Sequence, residues 1–187
     1  MSVAVVFETH STSVDNERGI ATGWNQGELS ATGREQAREL GERRRDDGIA
    51  VVFTSDLRRV VETAELAFAG SPIPVVHDAR LRECNYGLLN GMPRAQLEAE
   101  RVLRLETPFP GGESWREAVD RIAGFLRELA ESHDGRRVLV IGHVATRWAL
   151  DHVATGVPLA TLAEAPFAWR EGWEYTLSSE GGTHHDA

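Results

Sequence analysis

The chain contains no lysine; all 20 of its basic residues are arginine. That absence removes Schiff-base chemistry and the P-loop, whose motif lysine reaches the phosphates. An anion bound here must be held by guanidinium groups, backbone amides or histidine. Cysteine is nearly absent too: Cys84 stands alone, so no intrachain disulfide can form. A cysteine-x5-arginine phosphatase loop also fails, because position 90 is Asn90. No apolar run approaches the roughly 18 residues of a membrane helix. The first apolar stretch is too short, and lacks the basic leader, for a signal peptide. Positive charge is in deficit, with a net charge of −9. A duplex-coating nucleic-acid binder neutralises phosphates with a basic surface, so that class is disfavoured. A small anionic substrate is not, since one local cationic pocket can oppose the global sign. The expectation is a cytoplasmic protein with no membrane or nucleic-acid partner, its assembly left open between monomer and homodimer.

What the chain does have is two short valine-rich runs that each stop at a histidine. Val3-Ala4-Val5-Val6-Phe7 leads through Glu8 and Thr9 to His10, and Val138-Leu139-Val140-Ile141-Gly142 leads to His143. Continuous short apolar runs read as strands buried on both faces. The carboxyl ends of such strands are where open α/β sheets place their ligands. A further strand is predicted over 49–54, and a short one over 72–76 near an edge, where its prolines are tolerated. A last strand is predicted over 173–177. Helices are expected from Ser30 or Thr32 to Asp46, after a Ser55-Asp56 cap, from Pro93 to Leu105, over 114–132 and over 145–155. The 114–132 helix carries a clear stripe: Trp115, Ala118, Val119, Ile122, Phe125, Leu126 and Leu129. Trp169, Trp173 and Tyr175 read as core or rim packing, or as aromatic residues beside a pocket. Alternating strands and helices imply one α/β domain over 1–178, a mostly parallel central sheet sandwiched between helices. Residues 179–187 read as a disordered tail. That tail holds His184 and His185, and no histidine spacing elsewhere suggests a metal site.

Four segments fall at predicted strand ends: Thr9 to Asn16, Ser55 to Arg59, Leu81-Arg82-Glu83 and Gly142-His143. They offer two imidazoles, guanidinium groups, a carboxyl and an amide. That set suits phosphoryl transfer through histidine. A neutral imidazole attacks phosphorus, cationic donors hold the equatorial oxygens, and a carboxylic acid protonates the departing oxygen. No G-x-S-x-G elbow is present to support a serine nucleophile instead.

In this order the segments resemble the histidine phosphatase superfamily, its phosphoglycerate-mutase-like branch. Thr9-His10-Ser11 through Asn16 stands where that family has R-H-G-[ED]-x-x-x-N, and Thr22-Gly23-Trp24 resembles its substrate loop. Ser55-Asp56-Leu57-Arg58-Arg59-Val60-Val61-Glu62-Thr63-Ala64 is similar to S-x-L-x-R-A-x-[QE]-T-A. Leu81-Arg82-Glu83, Pro110-Gly111-Gly112-Glu113-Ser114 and Gly142-His143 through Arg147 are similar to further motifs. The resemblance implies a three-layer α/β/α sandwich and a metal-independent, cofactor-free phosphomonoesterase. It implies that His10 is the phosphorylated nucleophile and Glu83 the proton donor. By the same route His143 and Arg59 would hold the phosphoryl group, with Asn16, Thr9, Ser11, Thr22 and Gly23 around a small phosphorylated substrate.

The departures are local. Thr9 replaces the family's arginine, Ser11 and Val144 replace glycines, and Glu8 stands at a usually apolar position. Glu8 lies two residues before His10 and is expected on the same side of the strand, where it would repel phosphate or partly neutralise Arg59. The alternative reading is therefore a relative that binds an anion without turnover, or acts on a substrate that is not a phosphate.

Overall fold

In the computed structural model the described residues are 2–178. The predicted tail, with its two histidines, lies outside them. In chain order the elements are β1 (Ser2–Thr9), α1 (Val14–Glu17), β2 (Ile20–Ala21), α2 (Ala31–Arg44), β3 (Val51–Thr54), α3 (Arg58–Ala67) and β4 (Val75–His77). There follow β5 (Met92–Pro93), α4 (Arg94–Glu100), α5 (Trp115–Ser132), β6 (Arg137–Gly142), α6 (Val144–Thr155), α7 (Leu159–Glu164) and β7 (Trp173–Ser178). The main sheet runs β4-β3-β6-β1-β7, and β2 and β5 form a separate two-stranded ribbon. β1, β3, β4 and β6 are parallel; β7 closes the far edge antiparallel to β1.

Register is what builds the site. Thr9 lies opposite Gly142, and Thr54 lies opposite Ile141. The residues that leave these three central strands, His10, Ser55 and His143, therefore emerge along one rim. Helices cover both faces, which explains why the strands read as unbroken apolar runs. Val5, Phe7 and Val140 pack with Trp115, Ile122 and Leu126 of α5 on one side. Val6, Leu139 and Ile141 pack with Leu40 of α2 and with Val60 and Ala64 of α3 on the other. Each such fully buried side chain contributes about 1.5–3 kcal/mol as an upper bound. α2 approaches the loop after β1 closely enough that a Cβ on Gly33 would sit 1.9 Å from the Thr12 carbonyl oxygen. Glycine is required at that crossing. No helix among the described residues is long and apolar enough to cross a membrane.

The local differences from the sequence reading have physical causes. Ser30 is the residue that caps α2, its Oγ accepting the Gly33 N–H at 3.1 Å. Ser55 and Asp56 do not cap α3; Leu57 holds that position with no side-chain cap, because the Ser55 hydroxyl is turned to His143. The helix after Pro93 ends at Glu100 rather than near Leu105. The Arg104 and Leu105 carbonyls turn instead to accept the Trp115 and Arg116 N–H groups at the head of α5. α1 and α7 were not anticipated; with four and six residues, each is too short for periodicity to register.

Candidate active site

The main cavity, about 550 Å³, opens over the carboxyl ends of β1 and β6. All nine candidate residues line it: Thr9, His10, Ser11, Asn16, Thr22, Gly23, Arg59, Glu83 and His143.

His10 follows the last rung of β1, its backbone N–H donating to the Gly142 carbonyl at 3.0 Å. Its Nδ1 lies 2.8 Å from the Ser11 carbonyl oxygen. A carbonyl only accepts, so Nδ1 carries the proton and the lone pair resides on Nε2. Burial, reinforced by the Arg59 charge, lowers the ring's pKa to about 3. The imidazole is thus neutral at physiological pH. The His143 ring stands 5.2 Å away, centroid to centroid, edge towards face. Its Nδ1 is 3.4 Å from Arg59 Nη2, and its Nε2 is 2.9 Å from Ser55 Oγ. A guanidinium only donates, so Nδ1 accepts and Nε2–H donates to the serine. Burial, with Arg59 and His10, pushes the His143 pKa well below its ordinary value.

Arg59 sits in the first turn of α3 and is 2% exposed. It donates to the carbonyls of Asn25 at 3.0 Å and Gly23 at 2.9 Å. The Gly23 backbone, at φ +56°, passes so close to Asn90 that a Cβ would meet its Oδ1 at 2.0 Å. A buried guanidinium held only by carbonyls and an imidazole keeps its net charge for an incoming anion.

Glu83 lies against the N-terminus of α6. Its Oε1 accepts the Cys84 N–H at 2.9 Å and the Ala145 N–H at 3.1 Å, and its Oε2 accepts the Val144 N–H at 3.3 Å. Burial nevertheless raises its pKa, outweighing those donors and Arg59. The result is a carboxyl that holds its proton above the usual carboxylate range. The other candidates occupy the walls. Ser11 donates its N–H to Thr63 Oγ1 at 3.1 Å, and Thr22 Oγ1 donates to Asp15 at 2.9 Å. Asn16 is exposed at the rim, and its Oδ1 accepts the Ser13 N–H at 3.0 Å. Thr9 is half-buried.

Glu8 behaves differently from expectation. It is buried and lines the cavity, but its partners are Arg44 Nε at 2.9 Å and Arg43 Nη2 at 3.5 Å. Its charge is compensated from α2 rather than spent on Arg59. An acid in a strand buried on both faces was itself the signal that a cation had to face it. Glu113 acts as a strut. It pairs bidentately with Arg121, whose guanidinium also donates to the carbonyls of Arg80, Arg82 and Glu83. This bracket holds the Glu83 segment, and Arg121→Ala should cost about 2 kcal/mol, discounted for partial exposure. Urea unfolding measures it; a loss below ~0.5 kcal/mol would show the bracket to be ornamental.

Among the described residues, no group of three or more His, Cys, Asp or Glu side chains is arranged to hold a metal ion. The sequence reading did not place Arg43, Tyr86, Arg94, Leu97, Arg101, Trp115 or Phe167 at the cavity, yet all line it. Trp115 was legible only as core.

A family profile described as histidine phosphatase superfamily (branch 1) matches residues 6–172. A 2,3-bisphosphoglycerate-dependent phosphoglycerate mutase of a Methylobacterium species is 33% identical over 208 aligned positions, spanning all of both chains. Another protein of that name, from Cytophaga hutchinsonii, is 34% identical over 152 positions, 74% of this chain and 71% of its own. Among solved structures, a mycobacterial glucosyl-3-phosphoglycerate phosphatase superposes with a TM-score of 0.75 at 26% identity, over 87% of this chain and 84% of that one. Profile, relatives and superposition converge with a central parallel sheet whose strand ends carry paired histidines: the chain belongs to branch 1 of the histidine phosphatase superfamily.

Proposed function

We propose that this protein hydrolyses a small phosphorylated metabolite through a phosphohistidine on His10. The observation that carries the reading is the His10 tautomer. With Nδ1–H tied to Ser11, a neutral Nε2 lone pair stands in the cavity with Arg59, His143 and Glu83. Nε2 attacks phosphorus, the ester P–O bond breaks, and protonated Glu83 gives its proton to the departing oxygen. Arg59 supplies positive charge to the equatorial oxygens, with His143 beside it. Water then attacks the phosphohistidine, returning a proton to Glu83 and breaking the P–N bond to release phosphate. Relatives named as phosphatases and mutases are consistent with phosphoryl transfer; hydrolysis is the simpler outcome, needing only water as acceptor.

Rapid-quench with a ³²P-labelled phosphate monoester tests this. The expected product is an acid-labile, base-stable phosphoenzyme mapped to His10, formed at least as fast as turnover. Turnover without it would overturn the reading. Thr9, in place of a cation on β1, motivates the second reading of an anion-binding relative. That relative would show thermal stabilisation by orthovanadate and no hydrolysis of any ester.

Glu83→Gln should lower kcat about 10²-fold on alkyl phosphates, whose leaving groups need a proton, and far less on p-nitrophenyl phosphate. The pH profile follows from the two shifts. His10 must be neutral, so the acid limb falls near pH 3. Glu83 must be protonated, so the rate declines as pH rises through its elevated pKa. The glutamine variant should lose that alkaline limb alone. An unchanged limb in steady-state profiles would assign the proton to another group.

A further inference from the structure

The connection from α7 to β7 runs along the cavity as an extended strap, fastened at both ends by arginines of different helical segments. The Ala165 carbonyl accepts from Arg101 Nη1 at 3.3 Å, just beyond α4, and the Glu171 carbonyl accepts from Arg44 Nη2 at 3.5 Å, at the end of α2. Gly172, at φ +80°, completes the second fastening, since a Cβ there would collide with Arg44 Nη2. Side chains on an extended segment alternate between faces. Phe167, Trp169 and Glu171 accordingly line the cavity that holds His10. Ala168 and Arg170 line a separate pocket, where the Arg170 guanidinium lies 5.1 Å from the Trp173 ring centre.

Trp169 is 60% exposed, the one exposed aromatic side chain among the described residues. Tryptophan is highly buried on average, so a ring left in water at a cavity wall calls for an explanation. Phe167 is half-buried and rests against Trp173 at 6.2 Å between ring centroids. One aromatic face is thus anchored in the core and the other stands open. Polar groups of α2 line the same cavity. Gln36 engages its Oε1 with the Thr12 N–H at 3.0 Å and keeps its amide hydrogens as donors. Arg43 Nε is one of three buried side-chain N–H groups without a partner among the described residues, with Arg101 Nε and Trp115 Nε1. Glu39 and Glu171, both exposed, bring acceptors.

Aromatic faces bordered by donors and acceptors match a planar heteroaromatic ring. Such a ring stacks through its face and presents ring nitrogens and exocyclic groups at its edge. An aliphatic chain would leave the Arg43 N–H unsatisfied. An ammonium group would suit the carboxylates and the aromatic faces but would meet the Arg43 charge. The cavity, about 550 Å³, has room for a ring together with the phosphoryl group. Resting on the phosphatase reading above, we propose that Trp169 and Phe167, edged by the polar groups of α2, form a stacking subsite for a heteroaromatic ring on the alcohol portion of the substrate. The substrate class is then a phosphate monoester whose alcohol carries a nitrogen heterocycle, as in nucleoside 5′-monophosphates.

The test compares adenosine, guanosine, cytidine and uridine 5′-monophosphates with ribose 5-phosphate, which keeps the sugar and lacks the ring, and with phosphocholine. The wild-type protein should favour at least one nucleotide over both by about tenfold or more in kcat/KM. The advantage should reside mainly in KM, because stacking remote from phosphorus is the same in ground and transition states. In Trp169→Ala the ratio to ribose 5-phosphate should collapse to within about twofold, whereas Trp169→Phe should keep most of it. Trp169 is exposed, so neither change disturbs the fold. Arg43→Gln should lower kcat/KM for the preferred nucleotide about threefold and leave ribose 5-phosphate unchanged. Equal rates on nucleotides and ribose 5-phosphate, a preference for phosphocholine, or a nucleotide preference that survives Trp169→Ala overturns the subsite. Calorimetric titration of the same esters into His10→Ala, with and without Trp169→Ala, separates the two proposals. Trp169-dependent nucleotide binding without wild-type turnover of any ester would sustain the subsite and defeat the phosphatase. Turnover with Trp169-independent binding would do the reverse.

Discussion

His10→Ala should reduce kcat on any phosphate monoester by at least about 10⁴-fold and abolish phosphoenzyme formation, the scale seen when a covalent nucleophile is removed. The size follows from the lack of a substitute. His143 has both ring nitrogens engaged, one by Ser55 and one by Arg59. Burial, reinforced by the Glu83 and Glu113 charges, pushes the Cys84 thiol far up and leaves no thiolate at neutral pH. The Ser11 hydroxyl would have only carboxylates and a neutral, occupied imidazole as bases. The variant should remain folded, since the lost side chain makes a single hydrogen bond, to Ser11. Free imidazole, diffusing into the vacated space, should restore measurable hydrolysis. Stopped assays with and without imidazole check both halves. Residual activity above one per cent without imidazole would remove His10 from the nucleophile's role.

How much of this was readable beforehand divides along a physical line. The strands leading to His10 and His143 were legible because burial on both faces leaves a continuous apolar run, and the register aligning their ends follows from parallel pairing. Arg59 and Glu83 were legible only through their place in the motif order, since neither a helical arginine nor a loop acid carries a local signature. The cavity wall was not legible. Trp115 reads as one more member of the α5 stripe, and only the orphaned N–H in three dimensions separates a lining residue from a filling one. Glu8 was misjudged for a similar reason. Alternation along β1 placed it on the histidine's side, but the arginines that neutralise it come from α2, some 35 residues later, a distance no local pattern spans. Ser55 reads as a helix cap from sequence, but its hydroxyl accepts from His143 Nε2 at 2.9 Å and from the Leu57 N–H at 3.4 Å, ahead of the first turn of α3.

Thr9→Arg should raise kcat/KM on p-nitrophenyl phosphate by about 10²-fold, the inverse of what removing one donor to developing charge costs. Position 9 ends β1 opposite Gly142, lines the cavity and is half-buried, so a longer side chain has open space to enter. The neighbouring Glu8 carboxylate is already held by Arg44. The new guanidinium would therefore meet phosphate oxygens rather than that acid. Orthovanadate affinity should rise in parallel, because the charge acts on the bound oxyanion as well as on the transition state. The gain must disappear in the Thr9→Arg, His10→Ala double variant, which distinguishes a repaired phosphatase from a fortuitous anion site. An unchanged rate in a folded Thr9→Arg protein would mean that oxyanion charge is not what limits this site. In that case Arg59 and the two histidines hold an anion that the protein does not cleave.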